Sequence, residues 1–237
     1  MDQETDPSLF QPSPGSMRYL PIALSLRDRS CAVVGGGLVA LQKCKILGDA
    51  GARLTVISPQ VLEELASLIA QKQYTHVQRA YRQGDLRGHD LAVIATSEPA
   101  VQEAAAQEAQ ALGTLVNVVD RPELCSFIMP ALLVRGDIVI AVSTSGRAPG
   151  FAAALRDRIA AWLGPEYGAA LEIARRLRQV WKSQNLPMGE RRRRAQLLLG
   201  DEFLNAVRTG DLESARTYIE KVQGEAVPRE ILRGLVP

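Results

Sequence analysis

From Ser30 onward, the hydrophobic and polar positions of the chain switch between two periods. The runs "CAVVG", "RLTVIS", "HVQRA", "DLAVIAT" and "TLVNVVD" are short, apolar and rich in β-branched residues, as strands buried on both faces are. Between them lie stretches with helical spacing. "LVALQKCKILGDAG" ends in Gly51, a residue suited to a helix C-terminus. A second helix is predicted from Pro59 to about Ala70, and a third from Glu98 to Leu112, stopped by Gly113. Strands that alternate with such helices specify a parallel α/β sheet.

After the fifth strand the rhythm changes. "SFIMPALLVRGDIVIAVSTSG" predicts two or three strands joined by tight turns, with Gly136-Asp137 as a hairpin turn. From Pro149 the pattern is helical to about Val222, broken near Gly164-Pro165 and at Pro187. The opening stretch "MDQETDPSLFQPSPGS" is rich in Pro, Ser and acidic residues, has no period, and is expected to be disordered.

Composition narrows the class. Of 237 residues, 46% are hydrophobic and 23% charged, the balance of a soluble globular protein. No apolar run approaches the roughly 20 residues a membrane span needs, and no secretory signal pattern opens the chain. Cys31, Cys44 and Cys125 are widely spaced, with no C-x-x-C, so reduced thiols in a cytoplasmic protein are expected. Only His76 and His89 could join them, so no metal site is predicted. The net charge of +2 decides nothing about nucleic acid, but an aromatic content of 5% and the lack of a binding motif count against it. Basic residues do gather between 171 and 194: Arg175, Arg176, Arg178, Lys182 and the run Arg191 to Arg194, against only Glu172 and Glu190. Such a stretch is either a solvated helix face or a surface that receives a polyanion.

The chemistry begins at "VVGGGLVALQK", where Gly35, Gly37 and Ala40 form G-x-G-x-x-A between a strand and a helix. The first glycine permits a tight turn, the second lets a pyrophosphate approach the backbone, and the small third residue lets helix and strand pack closely. Amide groups at the helix N-terminus then face the phosphates. This predicts a Rossmann-type dinucleotide-binding domain. The acidic residue that usually follows the second strand and holds the ribose is missing; the chain reads "VISPQ" there. Ser58 and Gln60 can bond a ribose hydroxyl without repelling a 2′-phosphate, which leaves NAD against NADP open. Arg53 starts that strand, at its far end from the site.

Asp120 ends the fifth strand, where an anion is costly to bury and aspartate is a poor strand former. Ligands of open α/β sheets bind at the carboxyl ends of the strands, so Asp120 is a candidate base. Alternatively it caps the turn before Pro122.

The segments "LPIALSLRDRSCAVVGGGLVALQKCKIL", "NVVDRPELCSFIMPALL", "IVIAVSTSGRAP" and "MGERRR", in this order, resemble the precorrin-2 dehydrogenase/sirohydrochlorin ferrochelatase family, the N-terminal module of fused siroheme synthases. The resemblance covers about Arg18 to Gln223, and the methyltransferase domain of the fused enzymes is not expected in this chain. It implies NAD-dependent oxidation of precorrin-2 to sirohydrochlorin, with ferrous iron as a second substrate where siroheme is made. It also implies a homodimer with a tetrapyrrole substrate and with neither a nucleic-acid nor a membrane partner. The expected organisation is a disordered extension (1–16), an NAD-binding Rossmann domain (17–129), a β-rich dimerisation region (130–165), a small helical domain (166–224) and a tail (225–237). By resemblance Asp120 is the catalytic carboxylate and the dinucleotide meets Leu38-Val39 and Pro59-Gln60. The candidate cofactor set is therefore Gly35, Gly36, Gly37, Leu38, Val39, Ser58, Pro59, Gln60, Thr96 and Asn117. Ser143, Thr144 and Ser145 of "STSGRAPG" are N-cap residues by composition and line the substrate cleft by resemblance. This chain has Ala148 where the family usually has Ser, which removes one hydrogen bond. The arginine-rich helices suit a substrate that carries many carboxylates. Two other readings are a dehydrogenase without chelatase activity and a non-catalytic module that responds to dinucleotide or tetrapyrrole.

Overall fold

The computed structural model describes residues 19–223 and Ile231. The extension over 1–16 lies outside these residues, as does the tail apart from Ile231. Five strands form one parallel sheet: β1 (Ser30–Val34), β2 (Arg53–Ile57), β3 (Thr75–Val77), β4 (Leu91–Ile94) and β5 (Leu115–Val118). Their order across the sheet is β3-β2-β1-β4-β5. The chain therefore builds outward from β1 on one side, then crosses over to lay β4 and β5 on the other. Val34 pairs with Ile57 and Ile94, and Ile94 with Val118, so the carboxyl ends of the central strands stand level around the switch point between β1 and β4.

Each strand shows alternate residues to opposite faces. Cys31, Val33, Leu54, Val56 and Val93 pack with Ala40, Leu41, Cys44 and Leu47 of α1 (Leu38–Asp49) and Leu65 of α2 (Glu63–Lys72). Ala32, Val34, Ala92, Ile94, Val116 and Val118 pack with Ala105, Ala106 and Ala109 of α3 (Pro99–Leu112). Burial on both faces explains why these strands read as continuous apolar runs. The loop from Val77 to Leu91 is tied to α3 through the buried carboxylate of Glu108. It accepts from the Tyr81 hydroxyl (2.5 Å), the Gly84 amide (2.8 Å) and the Leu86 amide (2.9 Å).

Helix α2 begins at Glu63, not at Pro59 as the pattern predicts. The reason is tertiary. The Leu62 amide donates to the Gly36 carbonyl (2.9 Å), and the Ser58 hydroxyl donates to the Gln60 carbonyl (2.6 Å). Residues 58–62 thus form a clasp against the glycine loop and hold Leu62 in an extended conformation.

The second compact unit starts at Pro130. Strands β6 (Ala131–Arg135) and β7 (Ile138–Val142) form an antiparallel hairpin whose two-residue turn uses Gly136 at φ +56°. Helix α4 (Pro149–Trp162) follows, and Leu133 and Ala152 are buried. Helices α5 (Glu166–Ser183), α6 (Met188–Leu197), α7 (Asp201–Thr209) and α8 (Leu212–Gln223) enclose a core around Trp181, Phe203, Leu177 and Ile219. The architecture is the expected one: a Rossmann-type sheet, then a small antiparallel sheet, then helices.

Candidate active site

The three consecutive glycines face three different surroundings. Gly35 has φ +129°, and a Cβ there would lie 2.4 Å from the Ala95 carbonyl oxygen at the end of β4. A Cβ on Gly36 would lie 1.9 Å from the Gln60 carbonyl oxygen and 2.8 Å from the Ser58 hydroxyl. Gly36 is therefore required by the clasp, a role that its place between the two motif glycines does not announce. A Cβ on Gly37 would meet nothing within 4 Å. Gly37 is also the N-cap of α1, with no side-chain cap and no acidic residue in the first turn. The helix thus presents its amides and the positive end of its dipole to open space, which is what a pyrophosphate requires. Leu38 (64% exposed) and Val39 (38% exposed) leave their apolar side chains uncovered beside it.

The remaining cofactor candidates differ in what they have left to offer. Ser58 is buried, with its hydroxyl proton committed to Gln60, while Pro59 and Gln60 are exposed. The Thr96 hydroxyl accepts from the Glu98 amide (3.3 Å), and its carbonyl accepts from Gln102 Nε2 (2.8 Å), which anchors the start of α3. Asn117 is buried, and its Nδ2 donates to the Phe127 carbonyl (3.2 Å), so its free acceptor is Oδ1.

Asp120 stands two residues beyond β5, exposed, with φ +60°. Left-handed backbone is unusual for a non-glycine residue, aspartate being among the more tolerant. Its carboxylate accepts no hydrogen bond from any described residue, so the structure does not use it as a cap. β4 separates β5 from β1, so the ends of those strands lie roughly 10 Å apart at the usual strand spacing. Asp120 and the glycine loop consequently share the carboxyl edge of the sheet. Lys43, half-buried on α1, senses it: burial pulls the Lys43 ammonium below its usual pKa, and the negative charge of Asp120 pushes it back up. Sequence reading missed Lys43, because nothing local connects it to a residue so far along the chain.

Ser143, Thr144 and Ser145 belong to the second unit, between β7 and α4. Ser143 Oγ accepts from the Ser145 amide and Thr144 Oγ1 from the Ala148 amide, both at 3.1 Å. These bonds shape the loop, which has φ +54° at Ser145 and +76° at Gly146, yet leave the hydroxyl protons available. In the basic helices, Glu172 pairs with Arg175 and Arg176, and Glu190 with Arg193 and Arg194. The arginines beside each glutamate hold its carboxyl at about 2. Two of the segment's eight positive charges are thus offset within their own helices, and the segment keeps a net positive charge. Among the described residues no three His, Cys, Asp or Glu side chains gather as a metal site, and no helix is long and apolar enough to cross a membrane.

A doubly wound sheet with an open, uncapped helix behind its glycine loop is the dinucleotide-binding class of Rossmann domain, and an NAD(P)-binding family model matches residues 22–131. The sirohaem biosynthesis protein central family matches residues 135–161. The proteins this chain is similar to are siroheme synthases, matched over part of their length. It is 37% identical over 206 residues to siroheme synthase of Nitrosomonas europaea, covering 86% of this chain and 43% of that protein. It is 43% identical over 162 residues to siroheme synthase of Azotobacter vinelandii, covering 68% of this chain and 35% of that protein. The chain thus spans less than half the length of these curated relatives. The solved structure of SirC, precorrin-2 dehydrogenase, superposes with a TM-score of 0.72 at 22% identity, over 87% of this chain and all of that one, a likeness of fold.

Proposed function

We propose that this chain performs the NAD-dependent dehydrogenation of precorrin-2 to sirohydrochlorin. The observation that carries the proposal is Asp120, an exposed carboxylate without a hydrogen-bond partner among the described residues, on the sheet edge that bears the glycine loop. Gly37 leaves room for the pyrophosphate, and the amides of Leu38 and Val39 offset its charge. Gln60 takes the ribose, and Leu38 and Val39 supply apolar contact. Bound NAD supplies the hydride acceptor. Asp120 takes the proton that must leave as the reduced macrocycle gains a double bond, so that one hydride and one proton depart together. No described residue donates a hydrogen bond to this carboxylate, which leaves its oxygens free to accept. The hydroxyls of Ser143, Thr144 and Ser145 donate to substrate carboxylates.

Ferrous iron insertion into sirohydrochlorin is proposed as a second step in which Asp120 accepts pyrrole N–H protons while the metal, a substrate, enters. A homodimer is proposed through the hairpin. Val134 and Val139 are cross-strand partners, 52% and 60% exposed, and with Leu132 and Ala141 they form an apolar face on a two-stranded sheet. One face of this sheet packs on α4, and the exposed valines on the other form an apolar patch of the kind that marks an interface. The Rossmann, dimerisation and helical regions are then 17–129, 130–165 and 166–224.

The test is anaerobic incubation with enzymatically generated precorrin-2 and NAD, followed by ferrous iron, with the visible spectrum recorded throughout. A sirohydrochlorin spectrum in the first stage supports the dehydrogenase. Conversion to siroheme faster than a protein-free control supports the chelatase, and a rate equal to the control leaves a dehydrogenase alone. Folded protein that changes neither spectrum sinks the enzymatic reading in favour of a regulatory module.

A further inference from the structure

β5 is the edge strand of the sheet, yet its outer backbone groups are not left to solvent. Its odd-numbered residues face β4, as the Leu115 amide bonding Asp90 O (3.2 Å) and the Val119 amide bonding Ile94 O (3.0 Å) show. Its even-numbered residues face outward, where a sixth strand would pair. That place is taken by residues 125–127. The Val116 amide donates to Ser126 Oγ (2.8 Å), and the Val116 carbonyl accepts from the Ser126 amide (2.9 Å). One step nearer the site, the Val118 amide donates to Cys125 Sγ (3.1 Å). The same thiol lies 3.3 Å from both the Val118 and the Arg121 carbonyl oxygens, to either of which it can donate. The turn closes with the Arg121 amide on Val118 O (3.2 Å) and the Leu124 amide on Arg121 O (3.0 Å).

Cys125 therefore bonds the residue just before Val119-Asp120 and the residue just after it. Between those two points the backbone rises into the left-handed conformation that puts Asp120 at the tip of the turn. We infer that Cys125 is the positioning residue of the proposed base, its thiol bracketing the Val118–Arg121 turn so that the Asp120 carboxylate is held toward the nucleotide edge of the sheet. A soft, polarisable sulfur that both accepts and donates suits the place, since backbone amide and carbonyl groups converge on it. Burial pushes the thiol's pKa up, so the proton it donates is retained at neutral pH. The same burial makes the thiol a poor nucleophile. The inference rests on Asp120 acting as the base.

The experiment is a double-mutant cycle in single-turnover dehydrogenation with enzyme in excess, using Cys125→Ala, Asp120→Asn and the double variant, with NAD affinity measured alongside. Cys125→Ala is expected to lower the rate roughly 10- to 100-fold, the scale of a displaced catalytic group, with NAD affinity changed less than about 2-fold. In the Asp120→Asn background the same substitution should cost nothing further, because the group it positions is gone. Cys125→Ser, which keeps one donor and one acceptor, should recover part of the rate, and it replaces Cys125→Ala in the cycle if the alanine variant does not fold. An equal additional loss in the Asp120→Asn background, or an unchanged rate for Cys125→Ala, overturns the inference. Full activity of Asp120→Asn alone overturns the reading of Asp120 as base, a separate outcome.

Discussion

Gly36 and Gly37 are adjacent, and the structure predicts that adding one methyl group to each will fail in different ways. At Gly36 the new Cβ lies 1.9 Å from the Gln60 carbonyl oxygen, well inside the 3.0 Å that real Cβ contacts respect. That oxygen belongs to backbone, so the clasp over residues 58–62 must retreat by roughly 1.5 Å before contact becomes attractive again. Retreat breaks the Leu62–Gly36 hydrogen bond and displaces the N-terminus of α2. Overpacking of this kind costs about 1–3 kcal/mol, with about 1 kcal/mol more for the hydrogen bond. For a chain of this size each kcal/mol lowers Tm by roughly 2–4 °C, so a loss of about 5–15 °C is expected. Gly37→Ala meets no protein atom, and its φ of −88° is open to alanine. Its Tm should stay within about 3 °C of the parent, the scale of an N-cap glycine replaced by alanine. NAD affinity should nevertheless fall at least 10-fold, about 1.4 kcal/mol, because the methyl occupies the approach of the pyrophosphate. Scanning calorimetry and titration calorimetry with NAD separate the two variants. Parental NAD affinity in Gly37→Ala would refute the placement of the pyrophosphate. Parental Tm in Gly36→Ala would refute the clasp.

Other outcomes follow from the same geometry. Asp120→Asn should lower dehydrogenase kcat by roughly 10²–10⁴-fold while NAD binding survives, as steady-state rates and fluorescence titration would show. Removing that charge also removes what lifts the Lys43 ammonium, so the Lys43 pKa should fall further in Asp120→Asn, measurable by NMR of the labelled side chain. Glu108→Ala strands the Gly84 and Leu86 amides and the Tyr81 hydroxyl, and should cost about 3 kcal/mol. Burial alone would lift the Glu108 carboxyl, but the donors, Tyr81 foremost, outweigh it and hold it below its usual 4.5. A depressed folded pKa stabilises above the unfolded value, so the Tm gap between parent and variant should be full at neutral pH. It should narrow as pH falls below 4.5 through the folded pKa. Val134→Lys with Val139→Lys should convert a dimer into a monomer in sedimentation velocity, and an unchanged sedimentation coefficient would remove the hairpin from the proposed interface.

The parallel α/β plan was legible because strands buried on both faces must be apolar without interruption, and because helices between them carry a local period. Gly113 ends α3 in the left-handed conformation its residue type allows, and Gly136 turns the hairpin, both decided within a few residues. The glycine loop was readable for the same reason, since tight turn, phosphate approach and helix start are one contiguous segment. Residues 59–62 were misread as helix, because the partner that holds them extended is the Gly36 carbonyl, which sequence proximity does not reveal. Lys43 is near Asp120 only because Val119, next to Asp120, packs against the same core cluster as α1. Cys125 read only as a reduced thiol, and its hydrogen bonds to Val118 and Arg121 exist only because residues 125–127 fold back along the edge of β5. Backbone preference and hydrophobic period act over a few residues and are written in order along the chain. Hydrogen bonds and charge act across a few ångströms, and only the folded chain decides which residues come that close.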